Sequence, residues 1–339
     1  MGAACIAPHA RGRLWLAPME GLADALLRDV LTRIGGVDTC VTEFVRITDT
    51  LLPRAAWLRR VPELNHGGCT PAGVPVRVQL LGSDAECLAD NAARVASLGA
   101  PGIDLNFGCP APTVNRHRGG AALLGEPTLL YRIVAAVRTA VPPAVPVTAK
   151  MRLGLGDTTL AIDCAQALAN GGAEEITVHA RTKVDGYRPP AYWEWIARIR
   201  DAVPVNVIGN GEIWSVGDAQ RCREIGGCHD LMLGRGLVTR PDLALAILAA
   251  RTGSPAPRLD WAQLLGYVEN YFAAVRAIMA PRHAPGRLKL WLSYLRNAYP
   301  EAASLFTQWR TATDSRVLAD ALSLARAREA AVSRSLSMS

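Results

Sequence analysis

Eight short apolar or β-branched runs recur along this chain at nearly even spacing, and that recurrence limits the fold more than any other feature. They fall at Leu14–Ala17, Asp38–Thr42, Pro75–Leu80, Gly102–Asn106, Val145–Lys150, Glu175–His179, Pro204–Ile208 and Asp230–Leu233. Each step from one run to the next takes about 31 residues, the length of one strand–helix–strand unit. Between the runs, apolar residues return with helical period. Leu26, Leu27, Val30, Leu31 and Ile34 follow it, with Asp24 placed to cap the start and Gly35 to stop the end. Ser83 to Glu86 reads as a capping box, and Pro127 as the first turn of a helix running through Val137. Eight such units predict an α/β chain with a (β/α)8 TIM barrel over residues 13–252. A doubly wound sheet is the alternative, but the turn after the first run holds Ala17-Pro18-Met19-Glu20-Gly21 instead of G-x-G-x-x-G, and there is no Walker A motif.

A barrel collects its chemistry at the C-terminal ends of its strands. Here those ends carry Pro18 and Met19, Thr42 and Glu43, Gln79, Asn106 with Cys109, Lys150 with Arg152, His179 with Arg181, Asn210-Gly211-Glu212, and Gly234-Arg235-Gly236. Each residue taken alone has a packing explanation. Eight polar ends converging on one mouth are better explained by a site. Cys109 sits between Gly108 and Pro110, a stiff turn just past a strand. Lysine occurs only at 150, 183 and 289 in a chain whose usual cation is arginine, so Lys150 at a strand end suggests a need for a compact ammonium. Gly209, Gly211, Gly234 and Gly236 belong to the last two loops, where barrels often bind phosphate, with Arg235 beside them. A phosphate anchor, an ammonium and the Gln79 amide around one mouth fit a flavin mononucleotide.

Charge and cysteines narrow the setting. Residues 255–339 carry 11 Lys plus Arg against 6 Asp plus Glu, while the preceding residues carry 26 against 24. A basic last quarter points to a polyanion such as nucleic acid, although an arginine-rich solvated surface gives the same count. The eight cysteines form no C-x-x-C and no zinc-ligand spacing with histidine. Cys222 and Cys228 are too far apart in sequence, with too few partners, for a metal knuckle. Neither a secretory leader nor a membrane-length apolar run is evident, so a reduced, cytoplasmic protein without a metal is expected.

The stretches LAPMEG, TEFVR, VQLLG, DLNFGCP, KMRLG, VHARTKVDGY, GNGEIW and MLGRG occur in the order found in the bacterial tRNA-dihydrouridine synthases. LKLWLSYLRNAY, with TEFVR, resembles the class C branch of that family, the tRNA-dihydrouridine(16) synthases. The resemblance runs from Arg13 to about Asp320. It implies an FMN-dependent, NADPH-consuming enzyme that reduces the C5–C6 double bond of a uridine in the tRNA D-loop, with hydride passing from flavin N5 to C6. It carries cofactor contacts to Pro18, Met19, Gln79, Lys150, His179, Asn210, Gly211, Glu212, Gly234 and Arg235. It makes Cys109 the acid that protonates C5, and it places Asn106, Arg152, Arg181 and Tyr187 against the substrate.

It also implies a monomer with an all-α helical domain, residues 253–325, that binds tRNA. Residues 1–12 form an extension and 326–339 a tail. In the helical domain Leu288, Trp291, Leu292, Leu295 and Tyr299 make an apolar stripe, and Lys289, Ser293 and Arg296 a polar, basic one assigned to tRNA phosphates. The loop after GCP departs from the glycine-rich family pattern with Arg116, His117 and Arg118. A small-molecule flavin barrel resembling dihydroorotate dehydrogenases, and a tRNA-binding protein without turnover, are the rival readings.

Overall fold

The computed structural model describes residues 12–116 and 119–337. Every expected strand is present: β1 (Leu14–Leu16), β2 (Thr39–Val41), β4 (Val76–Leu81), β5 (Ile103–Phe107), β6 (Val147–Arg152), β7 (Glu175–His179), β8 (Asn206–Asn210) and β9 (Leu231–Leu233). An additional two-residue strand, β3 (Val45–Arg46), pairs with the far end of β4. All pairings are parallel, and β2 meets both β1 and β4, so the sheet closes on itself into a barrel.

Helices α1 (Ala25–Ile34), α2 (Arg54–Arg60), α3 (Ala85–Ser97), α4 (Pro112–Arg116), α5 (Pro127–Ala140), α6 (Ala161–Asn170), α7 (Glu194–Ala202), α8 (Val216–Gly226), α9 (Arg235–Thr239) and α10 (Leu243–Thr252) accompany the strands. Asp24 caps α1 by accepting from the Leu27 amide, and Gly35 ends it. The cap of α3 is Asp84, not Ser83. Its carboxylate accepts from the Cys87 amide and is better placed at the helix dipole than a hydroxyl one residue earlier.

Four helices follow: α11 (Trp261–Ile278), α12 (Ala284–Leu295), α13 (Pro300–Trp309) and α14 (Ser315–Ser337). The expected break at residue 325 falls inside α14, which continues without interruption. Leu288, Trp291, Leu292 and Leu295 form the buried stripe of α12. Trp291 stacks edge-on against Tyr271 at 5.1 Å and donates its indole N–H to the Val238 carbonyl at 3.2 Å, seating the helical segment on the barrel. Arg287 adds a polar clamp, donating to the Gly21 and Leu22 carbonyls and to Asp24.

Strand alternation makes two cores. Leu14 and Leu16 face the helices, while Trp15 turns inward to join Ala17, Val41, Ile208 and Met232 in a small inner cluster. Beneath it, at the strands' N-terminal ends, Arg13, Arg77, Glu175, Asn206 and Asp230 form an ionic network, with the Arg77 guanidinium 4.5 Å from the Trp15 ring. The barrel is filled and closed at that end.

A second buried ion pair joins α1 to the turn at Pro62–His66. Arg28 and Glu63 are 1% and 5% exposed, and the guanidinium meets Glu63 Oε1 at 2.7 Å. Arg28→Met leaves that carboxylate buried without its partner and is expected to cost about 3–5 kcal/mol, read as a lower urea midpoint. Adding Glu63→Leu should return most of the loss.

Candidate active site

The opposite end of the barrel is open. A cavity of about 370 Å³ lies there, and it brings together Pro18, Met19, Gln79, Asn106, Cys109, Lys150, Arg152, His179, Arg181, Tyr187, Asn210, Gly211, Glu212, Gly234 and Arg235. The strand register explains the convergence: Asn106 pairs with Lys150, Arg152 with His179, and His179 with Asn210, so successive strand ends finish at one level.

The turn bearing Cys109 is set by Asn106. Its side-chain oxygen accepts from the Gly108 amide at 3.0 Å and the Cys109 amide at 2.9 Å, while its NH2 donates to Gln79 Oε1 at 2.7 Å. Asn115 fixes the other side, donating to the Cys109 carbonyl at 2.9 Å. Burial pushes the Cys109 thiol above its ordinary range, against the pull of the Ala111 amide, so it is protonated at neutral pH. Gln79, fully buried, donates to Asp104 at 2.6 Å. Much of the amide expected to face a flavin is therefore committed inside the barrel, leaving one N–H and a lone pair for other partners.

Lys150 is nearly buried and donates to Asn210 Oδ1 at 3.1 Å, and Asn210 in turn donates to the Met232 carbonyl at 2.8 Å. Burial, helped by the charge of Arg152, lowers its pKa to about 8. His179 is held well below its ordinary value, first by burial and then by Arg152, Lys150, Arg181 and Arg235, so it is neutral. Arg152 donates to the carbonyls of Gly108, Thr182 and Gly186, and Arg181 to Pro190 O and to Glu212. Both guanidiniums thus brace loops. Tyr187 is 55% exposed at the mouth, with Arg152 and Arg235 about 5 Å from its ring. Among the described residues, no carboxylate lies within ion-pair reach of Lys150, Arg152 or Arg235.

The last two loops meet, as their glycines suggest. A side chain on Gly236 would place its Cβ 2.1 Å from the Ile213 carbonyl, so only glycine permits this approach. Glu212 adopts a left-handed backbone with φ 57°, held by Arg181 and by a 2.9 Å bond from the Trp214 indole. A non-glycine residue in that conformation, fixed from two sides, is the kind of strain found at functional sites.

Two expected residues lie elsewhere. The Lys289 ammonium donates to the carbonyls of Arg310 and Ala312, closing the end of α13, and exposed Arg296 lies over the Phe306 ring at 4.5 Å. Arg116 is exposed, and His117 and Arg118 lie outside the described residues. The cavity also recruits Glu20, Phe44, Ile213, Trp214 and Tyr294, which the sequence did not single out. Tyr294 comes from α12, and only its place off the buried stripe hinted that it faces something else. Among the described residues, no group of three or more His, Cys, Asp or Glu could hold a metal ion, and no helix is long and apolar enough to cross a membrane.

Curated relatives share this arrangement of sequence. A tRNA-dihydrouridine(16) synthase of Pseudomonas putida is 58% identical over 299 residues, covering 88% of this chain and 93% of that one. Its counterpart in Aquipseudomonas alcaligenes is also 58% identical, with 88% and 95% covered, and one from Neisseria meningitidis is 50% identical, with 91% and 93% covered. Among solved structures, an old yellow enzyme homologue from Zymomonas mobilis matches with a TM-score of 0.49 and 12% identity over 74% of this chain and 91% of that one, too loose a likeness to argue from. The family described as Dihydrouridine synthase (Dus) matches residues 15–319, and with that match spanning both the barrel and the helices behind it, the chain belongs to the dihydrouridine synthase family.

Proposed function

We propose that this chain is an FMN-dependent, NADPH-consuming tRNA-dihydrouridine synthase that reduces the C5–C6 double bond of a D-loop uridine at position 16. The observation that carries the reading is a protonated thiol, Cys109, sharing one cavity with three cations, Lys150, Arg152 and Arg235, that have no carboxylate partner among the described residues. The names and high identity of the relatives support tRNA as the substrate and 16 as the position.

Flavin mononucleotide fits the donor set. Its phosphate would lie against Arg235 and the close-packed loops at Gly211, Gly234 and Gly236, with Asn210 and Glu212 fixing those loops. Pro18, Met19, Gln79, Lys150 and neutral His179 would hold its ring, with Lys150 supplying positive charge to it. When bound, the flavin supplies the hydride that C6 of the uracil accepts, drawn in turn from NADPH.

The chain's own residues do the rest. Cys109 keeps its proton at neutral pH and gives it to C5, and Asn106 aims it by holding two amides of its turn. Lys150 holds positive charge where the reduced cofactor is negative. Arg152 and Arg181 hold the rim loops in place, and Tyr187 offers an exposed ring face to a base flipped out of the tRNA. Arg296, with a free exposed face, and the other cations of the helical segment take tRNA phosphates, while Lys289 serves the fold. We assign the working protein to the cytoplasm, as a monomer.

Incubating the purified protein with NADPH and unmodified tRNA, then mapping dihydrouridine, tests this. Product at position 16 is expected. No product overturns the reading, and product at another position overturns the site assignment alone.

A further inference from the structure

Outside the cavity, the feature that carries an inference is a pair of cysteines behind β8. Cys222 lies on α8 and Cys228 just before β9, 0% and 4% exposed. The left-handed Gly227 that ends α8 turns the chain back so that the two meet. Both sulfurs converge on Gly209. A Cβ built there would lie 2.7 Å from Cys228 Sγ and 3.2 Å from Cys222 Sγ, so the backbone of β8 has no side chain where the thiols need room.

The Cys228 thiol donates to the Cys222 carbonyl at 3.9 Å, and its interaction with the neighbouring Cys222 thiol draws it below its ordinary value, with the Arg223 charge adding to that. The same interaction and burial push Cys222 up. Among the described residues, Cys40 and Cys164 are pushed to about 12 by burial, and Cys87 and Cys109 also upward, so Cys228 stands apart from them. Cys228 is reachable, because it lines a cleft of about 420 Å³ between α8 and α10, together with Arg223, Glu224, His229 and Ile247. Cys222 does not line that cleft.

From the convergence on Gly209 and the one-sided access, we infer that Cys222 and Cys228 form a peroxide-sensitive dithiol, with Cys228 the attacked residue and Cys222 the resolving one. The Cys228 thiolate attacks one oxygen of hydrogen peroxide, the O–O bond breaks, and hydroxide leaves, taking up a proton as water. The resulting sulfenic acid is then displaced by the sulfur of Cys222, which loses its proton as the S–S bond forms and a second water departs. Two thiols are oxidised by two electrons and one peroxide is reduced. The site is independent of the uridine chemistry, and neither cysteine lines the active cavity.

The test treats the full-length protein with dilute hydrogen peroxide, alkylates it, digests it with trypsin and weighs the peptides. Cleavage after Arg221, Arg223 and Arg235 separates the two cysteines. The expected product is therefore the dipeptide Cys222-Arg223 joined by a disulfide to residues 224–235, lighter by about two hydrogens than the reduced pair. The link should be removed by dithiothreitol and be absent when oxidation follows unfolding in urea. In Cys222→Ser, a 1,3-dione probe should instead trap sulfenic acid on Cys228. Full alkylation of both cysteines after peroxide overturns the inference. So does over-oxidation of Cys228 without a link, or an equal yield of link in urea.

Discussion

Cys109→Ala is expected to lower dihydrouridine formation by about a hundred- to ten-thousand-fold, the usual contribution of a positioned general acid. On the proposed reading, reduction of the bound flavin by NADPH should stay near the wild-type rate, because the thiol would act only when C5 needs its proton. The cavity wall should survive the change: Asn106 holds the amides of Gly108 and Cys109, and Asn115 holds the Cys109 carbonyl, none of which involves the sulfur. Rapid mixing of reduced enzyme with tRNA measures the affected step, and an unchanged rate would remove Cys109 from the mechanism. The sign with pH follows from burial. Since the thiol is pushed above its ordinary value, no loss of activity from Cys109 is expected between about pH 6 and 8.

Lys150→Met has the second large effect, and it points two ways. Activity should fall by at least about a hundred-fold, because the cavity loses a fixed charge that no solvent molecule replaces in position. In wild type, the ammonium is lost as pH rises through about 8, so activity should decline on the alkaline side, later when an anionic cofactor holds the proton on. In the variant that decline should disappear.

Stability moves in the opposite sense. The folded value of about 8 lies below the ordinary 10.5. Between those values the unfolded chain binds a proton that the folded one does not, so stability rises with pH across that window. Below about 8 the buried charge costs the cofactor-free protein about 3 kcal/mol at most. Lys150→Met should therefore be more stable than wild type at pH 7 without cofactor, and no different near pH 11. Urea titrations at the two pH values check this, and a variant less stable at pH 7 would show that Lys150 is a packing residue.

Sequence made the barrel legible because its signals are local and repeated. The Asp24 cap, the Gly35 stop and the even return of apolar runs depend on neighbours a few residues away. It also identified most of the residues that ring the mouth, since successive strand ends finish at one level, although Thr42 and Glu43 after β2 do not line the cavity. It did not show how they are used. Gln79 spends a donor on Asp104, Arg152 spends its donors on carbonyls from a loop about 30 residues on, and Arg181 spends its on the Pro190 carbonyl and on Glu212, pairings fixed by the folded barrel. Lys289 closes α13 through a contact 23 residues away. Tyr294 reaches the cavity only because α12 docks above it. Cys222 and Cys228, spaced too widely for a metal knuckle, meet because the chain reverses at Gly227.

The ionic plug beneath Trp15 has a kinetic meaning. With Arg13, Arg77, Glu175 and Asp230 sealing the strands' starting ends, the barrel formed by the described residues opens at its other end. On the proposed reading, both the nicotinamide and the flipped uracil must reach the same ring through that opening. They cannot stand there together, so the oxidised nicotinamide has to leave before the base enters. Each turnover is then two visits by alternate guests, with the electrons waiting inside between them, and an excess of either guest bars the door to the other.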